Sequence, residues 1–308
     1  MAASCDCNVT LSNTGTPGCM PIQDVAKRLI LVPMVDASNS PNRLTVATLY
    51  DNAAIQAFIN EADDKKRFYP LPEMENVTNE RGDPISEDFP SGKNVKIRDG
   101  VKTFAGQMLS LSGDYAKQII GFGCSNMGAY IVDAQGNLIG DGSDPDYLAP
   151  LSLDQETWDV RTMDTTDTTI AKIQLGFQWS ISVKDSDVRM LLASDFATGV
   201  DWLSYNGLVD ISGVVSSVTS AGFSMKITNG FGSLKSPAVV TGLTSFVVID
   251  EATPGSPLSP TITESTSIPG LYVFSGLTLT SGPEYQCSLG AAVLGFDDSK
   301  LEAVEINF

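Results

Sequence analysis

The sequence predicts a mainly β protein with one or two short helices, built as a β-sandwich or barrel followed by a second, C-terminal β-sandwich. Three observations predict it. Apolar residues recur with a period of two over most of the chain, as in strands with one wet face. The last hundred residues are broken by Gly, Pro and Ser at roughly the 8–12-residue spacing of all-β sandwiches. Only one stretch, around Ile55, Phe58 and Ile59, carries a clear helical stripe. At 308 residues with 42% apolar and 18% charged side chains, the chain is long enough for two such cores.

In chain order, residues 1 to 27 are rich in Ser, Asn, Thr, Gly and Pro and supply no core of their own, so they read as an N-terminal arm that orders by docking. Arg28 to Met34, RLILVPM, reads as a buried strand, and Leu44 to Leu49 as a second after a turn at Asp36–Asn42. Asp51 and Asn52 cap a helix over Ala53 to Ala62. Extended segments follow at Met74 to Thr78 and Val95 to Phe104, the latter alternating Val95 and Ile97 against Lys96 and Arg98. A second helix is predicted over Asp114 to Phe122. Ala129 to Asp133 and Leu138 to Gly140 flank Ala134-Gln135-Gly136-Asn137, a hairpin turn with glycine where positive φ is needed.

The longest alternation is Thr169 to Val183, TIAKIQLGFQWSISV. Ala171, Ile173, Leu175, Phe177, Trp179, Ile181 and Val183 share one face; Lys172, Gln174, Gly176, Gln178, Ser180 and Ser182 share the other. A strand of ~15 residues would reach roughly 50 Å, long enough to require many neighbours or a neighbouring subunit. The first β domain is thus expected over residues 28 to 203. From 204 to 308, short strands at Leu208–Gly213, Phe223–Ile227, Ser245–Ile249, Tyr272–Phe274, Tyr285–Leu289 and Ala303–Phe308 predict an immunoglobulin-like sandwich, without its disulfide because Cys287 stands alone there.

Composition limits function. Nineteen Lys and Arg against 37 Asp and Glu leave a formal charge of −18, which repels phosphate backbones and anionic lipid. There is no histidine, so the commonest general base, metal ligand and nucleophile partner are missing, and no enzymatic activity is expected. The longest apolar run, Leu29 to Val35, is broken by Pro33 and far short of the roughly 20 residues of a membrane span. The start MAASCD has no secretory leader pattern, which predicts cytoplasmic synthesis.

Cys5, Cys7 and Cys19 crowd into CDCNVTLSNTGTPGC. They admit three readings: a zinc site completed by Cys124 or Asp6, a disulfide formed outside the reducing cytoplasm, or free thiols pinning the arm against this or another subunit. No CxxC pair supports the first, and no metal or cofactor is expected. Asp141 to Asp146 fails the spacing of a calcium loop and reads as a solvated acidic turn. Glu73, Glu75, Glu80, Asp83, Glu87 and Asp88 supply carboxylates of the kind glycosidases pair, at a density expected by chance among 37. Trp158, Trp179, Trp202, Tyr205 and Tyr272 are the stacking platforms that a carbohydrate-binding module would use, with core packing as the alternative.

CDCNVTLSNTGTPGC, RLILVPM, RFYPLPEMENVTNERGD, GVKTFAGQM, YIVDAQGNLIG and DTTIAKIQLGFQWSI together resemble a structural-protein family of tailed phages that infect Bacteroides-like gut bacteria, over roughly residues 1 to 195. The resemblance implies a virion component, and its β-rich architecture with an appended immunoglobulin-like domain is similar to major tail tube proteins. It then implies homo-oligomeric, hexameric rings stacked into a tube in the phage tail, assembled in the host cytoplasm. The partners implied are further copies, other tail proteins, and genomic DNA passing through without specific binding. Lys172, Gln174 and Gln178 on the polar face, with Cys5, Cys7 and Cys19 of the arm, become the assembly candidates. A capsid decoration or head-fibre protein is the alternative within the same class.

Deleting residues 1 to 19 is expected to leave both domains folded by circular dichroism while weakening assembly by sedimentation; unchanged assembly removes the arm from this account.

Overall fold

The computed structural model describes residues 22–109, 113–233, 235–250, 257–279, 284–289, 295–301 and 303–305. The chain divides into two compact units, Met1–Tyr205 and Asn206–Phe308. Among the described residues both are mainly β, and the two α-helices lie in the first. The three cysteines of the N-terminal arm, the start of that arm, and Ile306–Phe308 of the last expected strand lie outside the described residues.

The strands of the first unit are β1 (Ala26–Pro33), β2 (Leu44–Thr45), β3 (Tyr69–Pro70), β4 (Glu75–Arg81), β5 (Ile85–Asp88), β6 (Asn94–Arg98), β7 (Lys102–Leu109), β8 (Met127–Asp133), β9 (Leu138–Asp141), β10 (Tyr147–Leu148), β11 (Leu151–Met163), β12 (Lys172–Trp179) and β13 (Val188–Leu191). The helices are α1 (Asn52–Ile59) and α2 (Gly113–Gly121).

The centre is the antiparallel ladder of β1 and β8, which pairs Leu29 with Ile131, Ile30 with Tyr130 and Leu31 with Ala129. Both strands are apolar on both faces because both faces are covered. Leu29, Leu31, Ala129 and Ile131 enter one core, and Ile30, Val32, Tyr130 and Val132 enter another. On the second side α1 supplies Ile55 and Ile59. Its first turn is capped by Asp51, whose carboxylate accepts from the Ala54 N–H at 2.8 Å, an interaction typically worth about 1 kcal/mol.

On the other side the sheet folds over itself. Its strands run β13-β9-β8-β11-β12-β7-β4, with β1 against the remaining edge of β8. β11 begins beside β8, pairing Leu151 with Ala129, and continues beside β12. Between Asp154 and Asp159 its register with β12 shifts through a bulge, which sharpens twist and bends the strand. The curled end carries Phe104, Met108, Ile173, Leu175, Phe177 and Trp179 back onto the β1–β8 ladder, and α2 adds Ala116 and Ile119.

The bulge is stabilised by its own side chains. Thr157 Oγ1 donates to the Asp154 carbonyl at 2.6 Å and accepts from Gln178 N–H at 2.8 Å. The Trp158 indole stacks on Phe177 with ring centroids 5.5 Å apart and donates to the Ile119 carbonyl at 3.1 Å.

Three expectations change. The Thr169–Val183 alternation yields a strand of eight residues, Lys172–Trp179. Beyond Trp179 the chain turns, with Val183 N–H donating to the Ser180 carbonyl at 3.0 Å, so Val183 is buried while Ile181 is 89% exposed. Leu44–Leu49 forms only two strand residues, leaving Val46 and Leu49 exposed. Val95–Phe104 is two strands separated at Asp99–Val101, and Ile97 is exposed rather than packed in a core. The longest strand, β11, carries no clean alternation because the bulge breaks its period.

The second unit comprises β14 (Val209–Thr219), β15 (Gly222–Ser233), β16 (Ser236–Val239), β17 (Phe246–Asp250), β18 (Thr261–Glu264), β19 (Leu271–Ser275), β20 (Glu284–Leu289), β21 (Phe296–Leu301) and β22 (Ala303–Glu305). One sheet runs β18-β19-β15-β14-β21, with β16 beside β15; the other runs β17-β20-β22. With β14, β15, β17, β18, β19 and β20 taken as strands A to F, and β21 with β22 as the two halves of G, this is the ABED and CFG layout of a constant-type immunoglobulin sandwich. β21 pairs parallel with β14, and β22 then pairs antiparallel with β20. The two sheets share one core, in which Phe223, Met225 and Phe274 meet Phe246, Val248 and Tyr285. Cys287, two residues after the buried Tyr285 of strand F, is buried as well.

Asp133 closes the β8–β9 turn. It is fully buried, accepts from the Gln135 and Asn137 N–H groups at 2.9 Å each, and accepts from Asn137 Nδ2 at 2.8 Å. Asp133→Ala leaves these donors without partners and is expected to cost about 3 kcal/mol, read as a lowered midpoint in urea; a loss below about 0.5 kcal/mol refutes this role.

Candidate functional site

The polar face of β4, β7, β12 and β11 is where the assembly candidates on β12 meet. Alternation sends Ile173, Leu175, Phe177 and Trp179 inward and leaves Lys172, Gln174, Gly176 and Gln178 half-buried on the opposite side. Cross-strand register then places neighbours beside them. Gln174 stands opposite Gln107 of β7 and Arg161 of β11; Gly176 stands opposite Ala105 and Asp159; Gln178 stands opposite Thr103 and Asp154. β4 extends the row with Glu75 beside Gln107 and Glu80 beside Thr103.

Charge on this face is mixed and locally matched. Lys172 Nζ donates to Gln107 Oε1 at 3.1 Å, and the same oxygen accepts from Asn76 Nδ2 at 3.0 Å. Lys27 meets Glu75 at 3.3 Å, and Arg161 meets Asp159 at 2.6 Å. Amides and hydroxyls lie between these pairs, with Gly176 and Ala105 keeping the centre low. The face therefore offers contact and hydration rather than a converging nucleophile and base. Gln107, Thr103, Glu80, Asp159 and Arg161 were missed as members; the alternation of Thr103-Phe104-Ala105-Gly106-Gln107-Met108 is the signal that locates the β7 contribution.

The other candidates lie apart. Cys5, Cys7 and Cys19 are outside the described residues, and Cys124 is an exposed free thiol. Among the described residues no three His, Cys, Asp or Glu side chains converge as a metal site. In the Asp141–Asp146 loop the carboxylates hold the turn itself: Asp141 accepts from Ser143 N–H at 2.8 Å, and Asp144 accepts from Asp146 N–H and pairs with Arg43, each at 3.1 Å. Trp179, Trp202 and Tyr272 are core residues, exposed by 3% or less, and present no stacking surface.

At one end of the polar face an open cleft of about 880 Å³ is lined by Arg81, Val101, Lys102, Trp179, Ile181 and Asp185. Arg81 Nε donates to Asp185 at 2.8 Å, and Lys102 lies 3.5 Å from the same carboxylate. Donation from Arg81 holds the Asp185 carboxyl below its ordinary 3.8, against desolvation and with help from the charge of Lys102. Compared with known proteins, the chain matches no family model and no curated relative.

A depressed carboxyl stabilises the fold above its unfolded pKa and loses that contribution as pH falls through the folded value. The Arg81–Asp185 tie is therefore intact at neutral pH and is expected to loosen below pH about 4, seen as faster amide exchange at residues 81–82 and 99–102. Asp185→Asn is expected to reproduce the faster exchange at neutral pH; exchange unaffected by either change excludes the tie.

Proposed function

We propose that this chain is a phage virion structural protein, a major tail tube subunit that self-assembles into stacked rings around a DNA-conducting lumen. The observation that carries the reading is the four-stranded β4–β7–β12–β11 sheet, sealed by a continuous apolar core on one face and polar on the other. β4 ends the strand order, with its outer edge paired to no other described strand. A sheet of this kind joins edge to edge with further copies, which resolves the aggregation hazard of an open edge. The polar faces then line a wet channel, where amides, hydroxyls and matched charges give DNA nothing to bind, and a chain of net charge −18 repels it further. Lys172, Gln174 and Gln178 are lumen-facing on this reading. Capsid decoration or a head fibre is the neighbouring role, and binding to empty heads in place of tube formation identifies it.

Electron microscopy of the concentrated recombinant chain tests the proposal. Rings or tubes are expected; particles that stay monomeric at all salt concentrations refute it. Gln174→Lys with Gln178→Lys places added cations on the polar face. Tubes are expected to form as before and to retain DNA in a salt-dependent manner; blocked assembly shows instead that this face is a subunit interface.

A further inference from the structure

We propose that the turn between β11 and β12 is a knob that seats in the cleft at the far end of the same sheet on the next copy of this chain; this rests on the self-assembly reading and names the contact by which copies stack. β11 ends at Met163 and β12 begins at Lys172, opposite Leu109, the last residue of β7. The turn therefore reaches past the end of the sheet, and every residue from Arg161 to Ile170 is exposed. It is closed on itself. Thr166 N–H donates to the Thr169 carbonyl at 2.9 Å, Thr169 N–H donates to Thr166 Oγ1 at 3.1 Å, and the two hydroxyl oxygens lie 2.6 Å apart. A tip held in this way loses little freedom on docking.

Both ends of the sheet carry uncovered apolar side chains, the mark of an interaction surface. Met163 and Leu109 flank Lys172 across the ladder, and with Ile170 they make an exposed apolar shoulder at the base of the turn. The cleft lies at the other end of β12, beside Gln178 and Trp179, and exposes Ile97, Val101 and Ile181. Lys172 and Gln178 stand at opposite ends of one paired strand, about 20 Å apart, so the turn of one copy cannot close on its own cleft. An unlike partner would cover one end and leave the other bare. A second copy displaced along β12 brings knob to cleft, and each further copy repeats the contact, so one interaction covers both ends.

The charges left unpaired suit the same match. At the cleft Arg81 and Lys102 are tied to Asp185, and Asp99 is paired with Lys96. Among the described residues this leaves Arg98 and Lys184 there without an ion pair, against Asp154. The turn carries Asp164 and Asp167, also without one, and no cation from Met163 to Ala171. Knob against knob would bring carboxylates together, and cleft against cleft would leave both tips bare. Head-to-tail is the orientation that sets apolar against apolar and opposite charges together. The polar face between the two ends stays uncovered, as a wet channel requires.

The test follows assembly of the full chain by electron microscopy and sedimentation velocity. Asp167→Lys with Ile170→Ser alters the knob, and Ile181→Ser with Lys184→Glu alters the cleft. All four positions are exposed, so the monomer's thermal midpoint should be unchanged, and each variant is expected to raise the midpoint concentration of stacking about tenfold or more. Below that concentration each variant should stop at single rings, while the two kinds of ring mixed should form pairs and nothing longer, because one intact knob then meets one intact cleft. Amide exchange at residues 164–171 is expected to slow about tenfold or more as wild-type rings stack. Variants that stack like wild type, a mixture that forms no pairs, or stacking that leaves these amides unprotected overturns the knob and leaves the self-assembly reading standing. Stacking lost in the cleft variant alone does the same, by giving the cleft to another occupant. A wild-type chain that stays monomeric at every concentration and salt overturns both.

Discussion

The β1–β8 ladder is the constraint on which the first unit depends. Two strands buried on both faces need two separate coverings, and the rest of the unit supplies them. α1, Phe68, Phe196 and Trp202 close one side; the curled sheet and α2 close the other. A polar substitution at Leu29 or Ile30 would enter a different core in each case, since neighbouring residues of one strand point to opposite sides. Arg28 is the exception within β1. It is buried yet donates to the carbonyls of Trp202 and Tyr205, tying the end of the unit back to its central strand. Burial pushes its guanidinium pKa down, and the charge of Glu73 partly offsets this.

The bulge in β11 bends the sheet away from that central ladder. Without it, β12, β7 and β4 would continue the plane of β8. With it, they swing over the ladder, turn the apolar stripe of β12 inward and leave the polar row outward. The stacked Trp158, Phe177 and Phe104 rings, with centroid spacings of 5.5 and 5.1 Å, hold the bend, each such pair contributing about 1 kcal/mol beyond area burial. The same geometry carries the β4–β7 ladder outward to the β5–β6 hairpin. Polar face and cleft both lie on the strands that follow this bend.

On the proposed reading, the acidity of the chain keeps a conducting surface from holding nucleic acid. The immunoglobulin-like unit is self-sufficient, with its own sandwich core and with Tyr272 donating to the Val240 carbonyl at 3.0 Å and accepting from Leu243 N–H at 3.1 Å to fix the loop between strands B and C. Where strand B of an antibody domain carries a cysteine, this unit packs Phe223, Met225 and Ile227 into the core that Cys287 also enters.

The sequence by itself determined the mainly β class, both helices, the β8–β9 turn with Gly136 at positive φ, and the inward residues of β12, because each is set by a local period or a capping residue. The Tyr285–Leu289 strand was legible too, and it is β20, strand F of the sandwich. Only the tertiary structure decided how long β12 is, because alternation persists through Ser180–Val183 after the backbone has turned and a period of two registers side-chain order rather than strand continuity. Only it revealed β11, whose bulge erases the period by which strands are read, and the membership of the polar face, which is a matter of cross-strand register between segments distant in the chain. The exposure of the β5–β6 hairpin was hidden for a related reason: Val95 and Ile97 alternate as core residues do, and nothing in a single segment says what covers them.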